Sequence, residues 1–173
     1  MLPDSTQTAL LMASITASST LTGVLLSLSY ISIPALLSVD LPETHLIDLW
    51  RTVYFRGFRL SPPLAVPSGL ACLASAMLSS QVDSRSTSYL LTAALLNLSV
   101  VPYTILFVSP TNKKLMAKGA TLAKKSTEKN IQNTRDDMNS IEETRMLCAR
   151  WAALNYGRML LPLGGMVLAW LAL

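Results

Sequence analysis

The chain has 173 residues, 51% apolar and 14% charged, with a net charge of +4. A charged fraction well below the roughly 25% of globular proteins, with a mean hydropathy of +0.43, argues against an ordinary water-soluble domain. The positive balance lies between apolar tracts, where it suits an anionic membrane leaflet, and gives no reason to expect nucleic acid.

Thr6 to Val39, Leu60 to Val82 and Ser86 to Asn112 contain no charged residue, and from Trp151 onward only Arg158 is charged. Each tract reaches the ~20 residues that cross a hydrocarbon core. The predicted fold is an all-α integral membrane four-helix bundle, a single domain over 1–173, with spans at approximately 8–37, 62–81, 87–108 and 147–172. An interfacial helix follows span one, and a basic, helical cytosolic loop at 111–145 precedes span four. A soluble four-helix bundle is disfavoured, because its helices would carry a charged outer face. The residues before span one lack the cations of a signal peptide, so that helix is expected to stay. Arg51, Arg56, Arg59 and the lysines before span four outweigh the lone Arg85 between spans two and three. The bias places those loops in the cytosol and both termini in the lumen, with the endoplasmic reticulum as default membrane.

In span one, Gly23 and a run of Ser and Thr permit close helix approach. Pro34 falls where it kinks or closes the helix. The tail Ser27 to Pro34 also alternates like a strand, although its position favours a helix end. From Glu43 to Arg59, Leu46, Leu49, Trp50, Val53 and Tyr54 follow helical spacing, with His45, Asp48, Arg51 and Arg59 largely off that stripe. This suits a short amphipathic helix at the membrane surface. It is either an anchor or a cap over a cavity, with His45, Trp50, Tyr54 or Arg56 turned inward.

Pro62 and Pro63 open span two, where a missing N–H costs nothing. In span three Asn97, Val101 and Thr104 share a face, and Pro102 frees the Leu98 carbonyl. Asn97 joins helices by hydrogen bonds or meets a ligand. Ser109-Pro110-Thr111-Asn112 reads as a helix stop, and Ser140-x-x-Glu143 as a capping box for the helix entering span four. There, Trp151, Asn155 and Arg158 stand at i, i+4 and i+7, on one face. A lone arginine in hydrocarbon costs roughly 2.5–3.5 kcal/mol and so faces a bundle interior or a wet cavity.

Cys72, Cys148 and the single His45 are too scattered for a disulfide framework or a zinc site. There is no glycine-rich nucleotide loop. An enzyme built this way is expected to need no bound cofactor.

The order of several weak motifs carries a resemblance along nearly the whole chain. They are Ser29-Tyr30-x-x-x-Pro34, Trp50-x-x-x-Tyr54-x-x-Gly57, Pro62-Pro63, Val101-Pro102-Tyr103-Thr104 with Pro110-Thr111-Asn112, and Trp151-x-x-Leu154-Asn155-x-x-Arg158. In these the chain resembles the fungal anthrone oxygenase-like membrane proteins. The resemblance implies a small four-span monooxygenase of polyketide secondary metabolism that oxidises an anthrone to an anthraquinone. It would use O2 as co-substrate, without flavin, haem or metal.

Such chemistry needs an apolar slot, a base, and a donor for the enolate oxygen. Arg158 is the candidate oxyanion clamp, since a guanidinium stays charged when buried, and Asn155 a second donor. Trp151, Trp50 and Tyr103 are candidates for stacking on the rings, with Tyr54, Asn97 and Asn112 as further substrate contacts. His45 has a suitable ordinary pKa for the base; Tyr54, Tyr103 and Tyr156 are the alternatives. A purely structural Arg158, joining spans three and four, is the competing reading. The expected partners are a hydrophobic aromatic polyketide and the bilayer, and a homo-oligomer is compatible with the sequence. A polyketide cyclase or isomerase on the same scaffold, and a non-catalytic tetraspan assembly protein, are the alternative functions.

Overall fold

The computed structural model describes residues 5–78, 84–127 and 134–173, with the backbone alone for 125–127 and 134–137. All secondary structure among them is helical: α1 (Ser5–Ser27), α2 (Ile33–Leu37), α3 (Glu43–Leu78), α4 (Ser84–Tyr103), α5 (Ser109–Thr127) and α6 (Thr134–Leu171). Two π-helical turns, Leu28–Ser32 and Thr104–Val108, join α1 to α2 and α4 to α5 without breaking the rod. Residues 79–81 of the expected second span and 128–133 of the expected loop lie outside the described residues.

The long helices pack in a ring. α1 contacts α3 and α6, α4 contacts the same two, and α5 lies against α3 and α6. Three helical runs are long and apolar enough to cross a membrane: Ser5–Leu37, Glu43–Leu78 and Ser84–Lys124. The C-terminal helix α6 is not among them; its apolar half is interrupted by Asn155, Arg158 and Pro162.

The bundle has two textures. Toward the chain termini it is drawn together by small side chains, with Cys72, Ala93, Ala94 and Ala169 forming one buried cluster. Serines stitch the same region. Ser14 Oγ donates to the Ser68 carbonyl at 3.0 Å, and Ser68 Oγ to the Ser14 carbonyl at 3.1 Å. Ser18 Oγ donates to Asn97 Oδ1 at 2.9 Å. Asn97 therefore ties α1 to α4, as small and polar residues do between membrane helices. A Cβ on Gly165 would meet the Asn97 amide and the Ala93 carbonyl, so α6 approaches α4 at hydrogen-atom distance. At the opposite end the core is large: Ile33, Trp50, Val108, Leu115, Leu147, Cys148 and Trp151.

That end continues into a polar cluster. Glu43, in the first turn of α3, accepts from Ser140 Oγ at 2.9 Å and from Thr144. Lys118 of α5 lies 3.5 Å from Glu43 and 2.7 Å from Glu143 of α6. Its hydrogen bond and charge hold the Glu143 carboxyl below the usual range. Arg145 donates to the Leu37 and Val39 carbonyls at 2.9 and 3.0 Å, satisfying groups that a helix C-terminus leaves open.

Several sequence expectations are corrected. No separate interfacial helix exists: residues 43–59 are the first half of α3, which runs unbroken through Pro62, Pro63 and Pro67. Proline inside a water-exposed helix costs about 3 kcal/mol, but packed neighbours re-satisfy freed groups in a bundle. The three prolines are exposed, opposite the buried Ser61, Ala65, Ser68 and Gly69. The inward stripe of this half uses Leu46, Ile47 and Trp50, while Leu49 faces outward. Ser109 to Asn112 do not stop a helix; they form the first turn of α5. Ser140 caps nothing, since α6 begins at Thr134 and its hydroxyl serves Glu43 instead. The described parts of 111–145 are helical, as expected of the basic loop, and are continuous with the helices of the bundle in α5 and α6. Gly23 opens on empty space, with no atom within 4 Å of an added Cβ.

The contrast between glycines gives a test. Gly165→Leu should markedly lower the midpoint of thermal unfolding in detergent, because its Cβ meets the Asn97 amide, which hydrogen bonds to Ser18 and to the Ala93 carbonyl hold in place. Gly23→Leu should leave that midpoint essentially unchanged; equal losses for both would mean that α4 and α6 do not meet closely at Gly165.

Candidate functional site

Where small residues give way to large ones, the bundle opens a cavity of about 160 Å³. α6 contributes Trp151, Asn155 and Arg158; α3 contributes Tyr54, Gly57 and Phe58. The second π turn supplies Thr104, Ile105 and Val108, α5 supplies Ser109 and Asn112, and Leu28 closes the side of α1.

Each π turn has proline close by. Pro34 and Pro110 each stand two residues beyond one of them, and Pro102 just precedes the second. A proline cannot donate to the helical ladder, and a wider turn absorbs the missing bond; such π turns recur at functional sites. Ile33 N–H bonds back to Leu28 O and Ser109 N–H to Thr104 O, each a five-residue reach. The extra width places Leu28 and Thr104 in the cavity wall. Gly57 makes room for this, since a Cβ there would collide with the Leu28 side chain.

A chain of polar contacts runs along the α6 face. Trp151 Nε1 donates to Asn112 Oδ1 at 2.8 Å, and Asn155 Nδ2 donates to the Trp151 carbonyl at 2.9 Å. Arg158 Nη1 then donates to Asn155 Oδ1 at 3.4 Å, a long bond. Asn155 is fully buried and Arg158 only 9% exposed. No other hydrogen bond to the guanidinium occurs among the described residues, and its Nε is buried without a partner. Behind the wall, Trp50 stacks on Tyr54 at 5.4 Å and meets Trp151 edge-on at 6.1 Å. Such pairs hold their rings in fixed orientation.

The structure thus brings together Arg158, Asn155, Trp151, Asn112 and Tyr54, with Trp50 as backing. Tyr103 does not line the cavity. Its hydroxyl donates to the Leu154 carbonyl at 3.2 Å, across the α4–α6 seam beside Gly157. Asn97 lies deeper, committed to Ser18 and to the Ala93 carbonyl at 3.0 Å; it is a helix tie rather than a cavity residue. His45 is exposed at the start of α3, nine residues before Tyr54. At about 1.5 Å per residue that is too far along the helix to reach Arg158, and it is turned off the buried stripe. Arg56 and Tyr156 also face outward. The sequence reading missed Phe58 and Ile105, which look like ordinary lipid-facing residues, and gave Thr104 no site role although it stood on the Asn97 face and in a motif; only the adjacent Gly57 of the Trp50 motif hinted at a close approach there. Among the described residues, no three His, Cys, Asp or Glu side chains gather as metal ligands would.

The family model described as anthrone oxygenase matches residues 50–168, which includes every cavity residue except Leu28. The chain belongs to the anthrone oxygenase family. Its relatives include anthrone oxygenase encC of Aspergillus fumigatus, 33% identical over 86% of this chain and 83% of that protein. Anthrone oxygenase AgnL2 of Paecilomyces divaricatus is 30% identical over 86% and 85%. Noranthrone monooxygenase of Aspergillus flavus is 27% identical over 87% and 67%. No solved structure matches the chain.

Asn112 is the anchor of the polar chain. Asn112→Leu should cost about 1–3 kcal/mol by leaving a buried indole N–H unpaired, and adding Trp151→Phe should recover part of that loss. Thermal unfolding of the single and double variants in detergent measures both.

Proposed function

We propose that the protein is a cofactor-independent anthrone oxygenase, and that Arg158 holds the substrate's oxygen as it becomes anionic. The observation that carries this reading is the buried guanidinium with unspent donors in an otherwise largely apolar cavity. A cation without a protein anion is poised for an anionic ligand, and the low local dielectric strengthens that contact.

The chemistry needs little more. The central methylene of an anthrone lies between two aryl rings, across from the carbonyl. Loss of one proton from it puts negative charge on the carbonyl oxygen, where Arg158 and, after a small rotation, Asn155 meet it. The electron-rich anthrolate gives one electron to O2, the two radicals combine as a peroxide anion at the former methylene, and this takes the proton back from Tyr54 to become a hydroperoxide. Loss of its remaining ring-carbon hydrogen as a proton, with departure of hydroxide, gives the second carbonyl. One anthrone and one O2 thus become one anthraquinone and one water. Tyr54, reacting as its phenolate, is the proton acceptor in this scheme, being the sole Brønsted group besides Arg158 among the cavity's described lining. Trp151, held at its indole nitrogen, offers a ring face to the tricycle.

The cavity end of the bundle carries Arg56, Arg59, Lys113, Lys114 and Arg150, all exposed. By the positive-inside rule this end faces the cytosol, with α6 as a fourth span, both termini lumenal, and the endoplasmic reticulum as host membrane.

Purified protein, a chelator and a polyhydroxylated anthrone should give quinone absorbance with matching O2 uptake above spontaneous autoxidation. Arg158→Ala should lower turnover by about 10²–10³, the range for loss of an oxyanion donor, while the protein still accumulates in membranes. His45→Ala should behave as wild type. Full activity in the Arg158 variant would end the clamp role, and turnover that persists without O2 would replace oxygenation by cyclisation or isomerisation.

A further inference from the structure

A second cavity, of about 240 Å³, lies beside the first between α3 and α4. Phe58, Pro62 and Ala65 form one wall, Val101, Thr104 and Ile105 the other, and Arg158 stands at its inner end. We propose that this groove is a lateral portal. The aromatic substrate reaches Arg158 sideways from the lipid, and one ring remains in the groove when its oxygen is bound. The proposal rests on the reading of Arg158 as the partner of that oxygen.

Polarity points to such an occupant. Ser61 Oγ is spent on the Gly57 carbonyl at 2.9 Å, and Thr104 Oγ1 on the Val100 carbonyl at 2.6 Å. The guanidinium is then the groove's one polar group with donors to spare. An occupant is therefore apolar along its length and carries an anionic or electron-rich oxygen at one end.

Size points the same way. Ligand pockets usually measure about 300–1,000 Å³, and neither cavity alone reaches that. The two share Phe58, Thr104, Ile105 and Arg158, so a rigid tricycle with its oxygen on Arg158 extends into both.

Access decides the direction. Phe58, Val101 and Ile105 are 53%, 38% and 64% exposed. Val101 and Ile105 lie within the uncharged tract 86–112 and Pro62 and Ala65 within 60–82, while Phe58 sits at the rim between Arg56 and Arg59, so the mouth opens on acyl chains just below the headgroups. Toward the charged end the way is stopped by the cluster of Ile33, Trp50, Leu115, Leu147 and Trp151, and by the Trp151–Asn112 bond.

The test uses the full-length protein in lipid nanodiscs. Val101→Trp narrows the mouth from outside the core and should raise KM for a polyhydroxylated anthrone about tenfold with little change in kcat, the signature of impaired access rather than chemistry. Unchanged KM would overturn the portal. A measurement without turnover separates this from the assigned reaction. A V101C variant should react with a lipid-soluble maleimide and not with a membrane-impermeant one, and a polyhydroxylated anthraquinone should slow that reaction several-fold. The same ligand should not protect an L95C variant, whose position is exposed elsewhere on α4. Protection in a protein that does not oxidise anthrone would uphold the portal and sink the oxygenase reading; turnover without protection would do the reverse.

Discussion

A guanidinium held inside an apolar helical bundle is the constraint around which the rest of this protein is arranged. It must be inward, because lipid would not tolerate it. It must also be steadied without being neutralised, since a carboxylate at that point would consume the charge. The structure meets both needs with neutral dipoles. Asn155 touches Arg158, Trp151 orients Asn155 through its carbonyl, and Asn112 orients Trp151. No acid joins this chain among the described residues, and the acidic side chains of the nearby polar cluster are occupied with Lys118, Ser140 and Thr144.

Holding the cavity open is a separate problem, solved by dividing the bundle. At the end near the termini, alanines, serines and glycines let helices touch closely, and the Ser14 and Ser68 hydroxyls reach carbonyls on each other's helix. At the other end, Trp50, Tyr54 and Trp151 form a rigid aromatic block. The ion cluster of Glu43, Lys118 and Glu143 binds α3, α5 and α6 beyond that block. The site lies between a seam that cannot open and a clamp that limits how far the helices splay.

Much of this was legible in the sequence because it depended on residue type and helical spacing. The uncharged tracts marked helices, and a lone arginine seven residues from a tryptophan marked the face of α6. The Trp50 and Tyr54 spacing gave an inward stripe. The errors came where helices ignored local punctuation. Pro62, Pro63 and Ser109 to Asn112 are breakers in water, yet in a bundle the packed neighbours and π turns carry the chain through them. His45 attracted attention through its chemistry alone, and only the phase of the helix showed that it faces outward. The groove residues Phe58 and Ile105 carry no signal in one sequence, because a lipid-facing wall and a substrate-facing wall are built from the same side chains.

The wide turn at Leu28–Ser32 has one more consequence. Buried positions in α1 recur at Leu11, Ser14, Ser18, Leu21 and Leu25, steps of three and four, and then at Ser29 and Ile33 in steps of four. The same lengthened step separates Thr104, a cavity residue, from the buried Val108. Each rod therefore slips in phase as it passes the cavity, keeping one side inward below while presenting a rotated side above. A single sequence can in this way zip tightly against its neighbours at one depth and stand off from them at another, so that the empty space is written into the pitch of the helices and not into any loop.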